Sequence, residues 1–145
     1  MGTNYYLHRG VCPHCGRGDG EPWHIGKSSA GWCFALHVEP NGIDWDEDSP
    51  AISDLDDWRK IWAEPTTLIR DEYGDTLTPE EMERIITQRN WKGRYPNPFY
   101  ETEADFCRKN HCSPGPNGLA RHNIASGHCV AHGEGTWDCI TGEFS

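Results

Sequence analysis

The chain has 145 residues, 35% of them hydrophobic, and a formal charge of −10 from 13 basic and 23 acidic side chains. That balance opposes nonspecific binding of duplex nucleic acid, whose affinity comes from Lys and Arg displacing counterions. No stretch approaches the roughly 20 apolar residues that a membrane-spanning helix needs.

The length is that of a single domain, 1–145, with an apolar share that calls for help beyond aliphatic burial. Seven Trp, five Tyr and four Phe supply part of that help, because each covers far more area than an aliphatic side chain. A structural metal would supply the rest. The cysteines number seven, an odd count, and no basic region followed by an apolar run precedes them, so we expect a reducing, cytoplasmic setting. There, a Cys-x-x-Cys pair serves a metal more often than a disulfide.

In chain order, residues 3–9 and 23–25 read as two strands joined across the turn Cys12-Pro13-His14-Cys15-Gly16. In Trp32-Cys33-Phe34-Ala35-Leu36-His37-Val38, period-2 alternation puts Trp32, Phe34, Leu36 and Val38 on one strand face and Cys33, Ala35 and His37 on the other. From Glu39 to Asp57 there are eight acids and no base. Such a run is ordinarily a solvated loop, yet it also suits a basic partner surface or a mimic of a nucleic-acid backbone. Ser53 is a good N-cap, and Leu55, Trp58, Ile61 and Trp62 follow at helical spacing, which predicts an amphipathic helix over 54–63. Residues 66–70 read as a short strand and 71–75 as a turn around Gly74. Thr78-Pro79-Glu80-Glu81 opens a second helix with a capping box, running to about Asn90, with Met82, Ile85 and Ile86 as its core stripe. A hairpin of 128–132 and 136–140, turned at Gly133-Glu134-Gly135, closes the chain. The predicted fold is α+β: a small antiparallel sheet with a zinc knuckle, two amphipathic helices and a C-terminal β-hairpin.

The chemistry-bearing residues form three sets. Cys12 and Cys15, two residues apart and bent by Pro13 and Gly16, are half of a tetrahedral zinc site, with His24 and His37 as the expected partners. Cys33 and the C-terminal His122, His128, Cys129 and His132 are further donors. Gly26-Lys27-Ser28-Ser29 resembles the end of a phosphate loop. The Walker pattern fails, however, because Glu21 stands where its first Gly belongs and a strand follows instead of a helix. Lys27, Ser28 and Ser29 remain candidate anion ligands. Arg121, with His122, His128, His132 and Glu134, offers a guanidinium for phosphate and imidazoles for proton transfer or metal. His37-Val38-Glu39 invites comparison with the His-x-Glu of zinc deaminases, but the cysteine pair lies upstream of it, the reverse of their order.

The opening Gly2-Thr3-Asn4-Tyr5-Tyr6-Leu7, the cysteine turn, His24-Ile25-Gly26-Lys27-Ser28-Ser29-Ala30-Gly31-Trp32 and the closing Gly133-Glu134-Gly135-Thr136-Trp137-Asp138 resemble a set of small bacteriophage and prophage proteins. The resemblance implies action in an infected bacterial cytoplasm, where such accessory proteins counter host defences, and implies nothing about catalysis. The first expectation is a zinc-stabilised protein that binds, and could cleave, a phosphorylated small molecule or nucleotide. In it Lys27, Ser28, Ser29 and Arg121 bind, and His122, His128 and His132 are catalytic. The alternative is a noncatalytic acidic module that inhibits a host protein through residues 39–57 and exposed tryptophans. A metal-dependent nuclease is the third reading, opposed by the net charge.

Overall fold

A computed structural model describes residues 2–18, 20–29, 34–88, 112–114, 120–124, 137–142 and 144, with the backbone alone at 112–114 and 120–124. Strand β1 (Gly2–His8) pairs antiparallel with β2 (Trp23–Ser29). β2 pairs antiparallel with β3 (Phe34–Val38). On the other side of β1 lies β4 (Leu68–Asp71), which turns back into β5 (Thr76–Leu77). Helix α1 (Leu55–Trp62) follows β3, and α2 (Pro79–Thr87) follows β5. Three later strands, β6 (Cys112–Pro114), β7 (Ala120–Ile124) and β8 (Trp137–Thr141), complete the sheet. Its order is β5-β4-β1-β2-β3-β8, extended by β7 and β6.

The α+β class and the two helices agree with the sequence; the sheet does not. It is mixed, because β8 runs parallel to β3, Phe34 opposite Trp137 and Val38 opposite Thr141. β8 therefore sits between β3 and β7, both parallel to it. The expected first hairpin strand, 128–132, lies outside the described residues. The β3–β8 pairing joins residues about a hundred positions apart, which a local turn signal cannot register.

Both helices cover one face of the sheet. Tyr5, Leu7, Trp23, Ile25, Phe34, Leu36 and Val38 form a single buried cluster with Leu55, Trp58, Ile61 and Trp62 of α1 and Met82 and Ile86 of α2. Arg59 ties the helices together, its Nε donating to Glu83 Oε1 at 2.9 Å. The second helix begins as its sequence dictates: Thr78 caps it, the reciprocal Glu81 bond completes the capping box, and Pro79 opens the first turn. It ends earlier than expected, with Gln88 at the C-cap. In α1 the cap shifts by one residue. Asp54 Oδ1 accepts from Asp57 N at 3.1 Å, and Asp57 Oδ2 in turn accepts from Ser53 N at 2.8 Å. The carboxylate three residues after Asp54 thus ties down the residue just before the cap.

One glycine fixes the sheet's shape. The register of β1 against β2 slips between Tyr5, opposite Gly26, and Tyr6, opposite His24, which leaves Ile25 as an extra residue in a bulge. At Gly26, φ is +157° and a Cβ would lie 2.1 Å from the Ala35 carbonyl oxygen, so no side chain fits there.

Candidate functional site

The face of the sheet turned away from the helices carries polar side chains. Alternation sends Asn4, Tyr6, His24, Lys27 and His37 to it, and the aromatic ring of Phe144 lies edge-on over His24 and His37, at 4.8 and 5.6 Å between ring centroids. The imidazoles themselves are 5.4 Å apart. His37 is held from both ends. Its Nδ1 lies 2.9 Å from the His24 carbonyl oxygen, to which it donates, and its Nε2 lies 2.9 Å from Glu39 Oε1. Both ring nitrogens thus face acceptors. His24 Nε2 is 2.9 Å from the Asn4 side-chain amide oxygen. Burial, then the nearby charge of His37, push the His24 pKa down from 6.5 to about 4, against a hydrogen bond to the Gly26 carbonyl that acts in the opposite direction. At neutral pH His24 is uncharged. Both histidines have hydrogen-bond partners within the sheet face, and the Trp58 indole adds a further tie by donating to the His37 carbonyl at 2.8 Å.

The cysteine turn lies between β1 and β2. Cys12 N donates to the Arg17 carbonyl at 2.8 Å and Gly16 N to the Cys12 carbonyl at 2.9 Å, which folds the segment back on itself. The Cys12 thiol is drawn below its ordinary pKa by the N–H groups of Cys15 and His14, and then by a hydrogen bond with the Cys15 thiol. Two cysteine sulfurs set side by side fit two corners of a zinc site. The structure does not bring His24 and His37 to them. Among the described residues no group of three or more His, Cys, Asp or Glu side chains is placed to hold a metal, and both imidazoles are bonded within the sheet face. The other donors, Cys33, Cys107, His111, Cys129, His128 and His132, lie outside the described residues, and Cys112 and His122 are described by backbone alone.

The phosphate-ligand candidates separate. His24-Ile25-Gly26-Lys27-Ser28-Ser29 is strand β2, not a loop, so its backbone N–H groups serve the sheet ladder. Lys27 and Ser28, adjacent on that strand, face opposite ways. Lys27 sits beside Asn4 and Ala35, whereas Ser28 borders a cavity of about 550 Å³ against α2, with Tyr5 and Arg84. Arg121 and His122 lie on β7, with β3 and β8 between that strand and β2.

The acidic run gains most from the structure. It is a closed excursion: Glu39 N donates to the Ile52 carbonyl at 2.7 Å, and Ile52 N returns the bond to Glu39 at 2.8 Å. Inside it, Gly42 N bonds the Glu39 carbonyl, Asp46 N the Ile43 carbonyl and Ser49 N the Asp46 carbonyl, at 2.9, 2.9 and 3.1 Å. Ile43 N donates to Ser49 Oγ at 3.0 Å. Ile43 and Ile52 are buried in the core cluster. Asp46 anchors the tip: its Oδ2 accepts from Trp23 Nε1 at 2.9 Å and pairs with the Arg9 guanidinium, which itself stacks 3.9 Å from the Trp23 ring centroid. Asp44, Glu47 and Asp48 are left pointing to solvent, beside Trp45 with 49% of its surface exposed. The sequence identified the charge; it did not identify Asp46 as an anchor, whose partners lie 23 and 37 positions upstream.

No described helix is long and apolar enough to cross a membrane. In comparisons with known proteins, the chain matches no family model, no curated protein and no solved structure.

Proposed function

We propose that this chain is a noncatalytic protein-interaction module that presents the acidic excursion 39–54 to a basic partner surface, with a structural zinc held in part by Cys12 and Cys15. The observation that carries this reading is the fixed shape of the excursion. A solvated acidic loop has no reason to be closed by two backbone bonds at its base, seated on two buried isoleucines and pinned by Arg9 and Trp23. A fixed array of carboxylates beside an exposed tryptophan suits recognition, because little ordering entropy remains to be lost on binding and indole surfaces anchor interfaces. In the bacteriophage setting that the sequence resemblance suggests, the partner is a host protein and the consequence is its inhibition. Zinc would stiffen the β1–β2 connection by drawing two thiolates and donors from elsewhere in the chain to one point.

The binding claim is tested with an acetylated hexa-arginine peptide and isothermal calorimetry. Binding should weaken as salt rises and fall about tenfold in Asp44→Lys/Glu47→Lys, while Asp75→Lys/Glu80→Lys, equal in charge but remote, changes it far less. Equal losses in both variants would reduce the effect to net charge and remove the reading. The zinc claim is tested by elemental analysis. Zinc bound by the wild type and lost in Cys12→Ser/Cys15→Ser supports it; zinc retained by that variant overturns it.

A further inference from the structure

Next to the acidic excursion a groove of about 470 Å³ opens between α1 and the β1–β2 connection. Its floor includes Trp23, Pro50, Ala51 and Ile61, and its rim carries Asp48 and Glu64. We propose that this groove receives one arginine or lysine side chain of the basic partner, a specificity pocket that rests on the interaction reading above and adds the chemistry of what enters.

Three features select a cation with an aliphatic stem. First, the rim acids are available. Among the described residues neither the Asp48 nor the Glu64 carboxylate makes an ion pair, whereas Asp57, also on the groove, is engaged by Ser53 N and Lys60. Secondly, the floor is apolar, and long basic side chains lay their methylene stems on such surfaces while holding the charge at the edge. Thirdly, the protein already performs this recognition on itself. The Arg9 guanidinium, at one side of the groove, lies over the Trp23 ring and is gripped by Asp46. A planar cation between an indole and a carboxylate is therefore compatible with this wall, and the free rim acids offer an entering side chain the same kind of grip. The bases that line the groove, Arg9 and Lys60, already face Asp46 and Asp57, and a purely apolar ligand would leave Asp48 and Glu64 without a partner on desolvation.

Glu64→Lys reverses the rim on a solvent-exposed side chain that makes no described side-chain bond. Its urea midpoint should match the wild type, showing that the variant folds. In calorimetry with the same hexa-arginine peptide, Glu64→Lys should bind about tenfold more weakly than the remote Asp75→Lys control. On titrating the peptide into ¹⁵N-labelled wild-type protein, the Trp23 indole resonance should shift. Identical affinities of Glu64→Lys and Asp75→Lys would overturn the groove. If Asp44→Lys/Glu47→Lys is nevertheless weakened, the acidic excursion keeps its role and the groove alone falls. If the peptide fails to bind the wild type at all, both fall.

Discussion

Two surface connections, 9–22 and 39–54, have comparable length and opposite means of keeping their shape. The acidic excursion is held by the rest of the protein: its base pairs with itself, its isoleucines enter the core and its tip is clamped by side chains of β2 and the β1–β2 connection. The cysteine turn has far less to lean on. Among the described residues it has its own two backbone bonds, Arg70, whose Nη2 donates to the Gly16 carbonyl at 3.1 Å, Val11 N, which donates to the Thr66 carbonyl at 2.9 Å, and the Arg9 pairing with Asp46 that it shares with the excursion, and its thiols stay near solvent. The excursion is held in part by burial of Ile43 and Ile52, whereas the contacts described for the cysteine turn are polar, so a metal on its sulfurs would add rigidity there.

The sharpest break in this comparison comes through pH, because the base of the excursion rests on the histidine face by way of Glu39 and His37. His24 has its pKa lowered from 6.5 to about 4. Between those values the unfolded chain binds the proton and the folded chain does not, so stability falls as pH is lowered from 6.5 toward 4 and is unaffected by this group above that window. The loss approaches about 3 kcal/mol at the acid end. Urea titrations at stepped pH should show the decline in the wild type and a shallower one in His24→Asn.

A somewhat smaller effect is expected from Asp46→Ala, which strands a half-buried guanidinium and an indole N–H. About 2 kcal/mol of stability should be lost, with Asp46→Asn losing less because its amide oxygen still accepts from Trp23. Chemical denaturation measures both. If Asp46→Ala were neutral, the excursion would be no better anchored than the cysteine turn. Smallest is Gly42→Ala. With φ at +83° and a new Cβ 3.1 Å from the Ser49 carbonyl oxygen, about 1 kcal/mol should be lost, and the change should loosen the excursion.

Much of the helix face was legible because its signals are local. Thr78, Pro79 and Glu81 announce the second helix within four residues, and the spacing of Leu55, Trp58, Ile61 and Trp62 marks the first. The strand at 34–38 was legible as alternation, yet all five of its residues are buried. Sequence could not show that its second face is covered too, by Phe144 near the far end of the chain. Gly26-Lys27-Ser28 read as a loop because its composition favours one. It is strand because β1 and β3 flank it and only a glycine fits beside the Ala35 carbonyl. The same limit governs the candidate sites. Spacing places Cys12 and Cys15 in one turn, closed by its own backbone, but the environment of His24 and His37 is assembled from Asn4, Glu39 and Phe144. The acidic run was visible as charge and invisible as shape, since Arg9 and Trp23 are not its sequence neighbours.

The account rests on the excursion 39–54 being held in one shape, and backbone amide hydrogen exchange at neutral pH tests this directly. The amides of Glu39, Gly42, Asp46, Ser49 and Ile52, each donated to a carbonyl, should exchange far more slowly than those of Trp45 and Glu47. Glu39 and Ile52 should be the slowest, with protection close to that of the sheet. Uniformly fast exchange from 39 to 52 would make the run a solvated loop and contradict the proposal that it is a preformed docking surface.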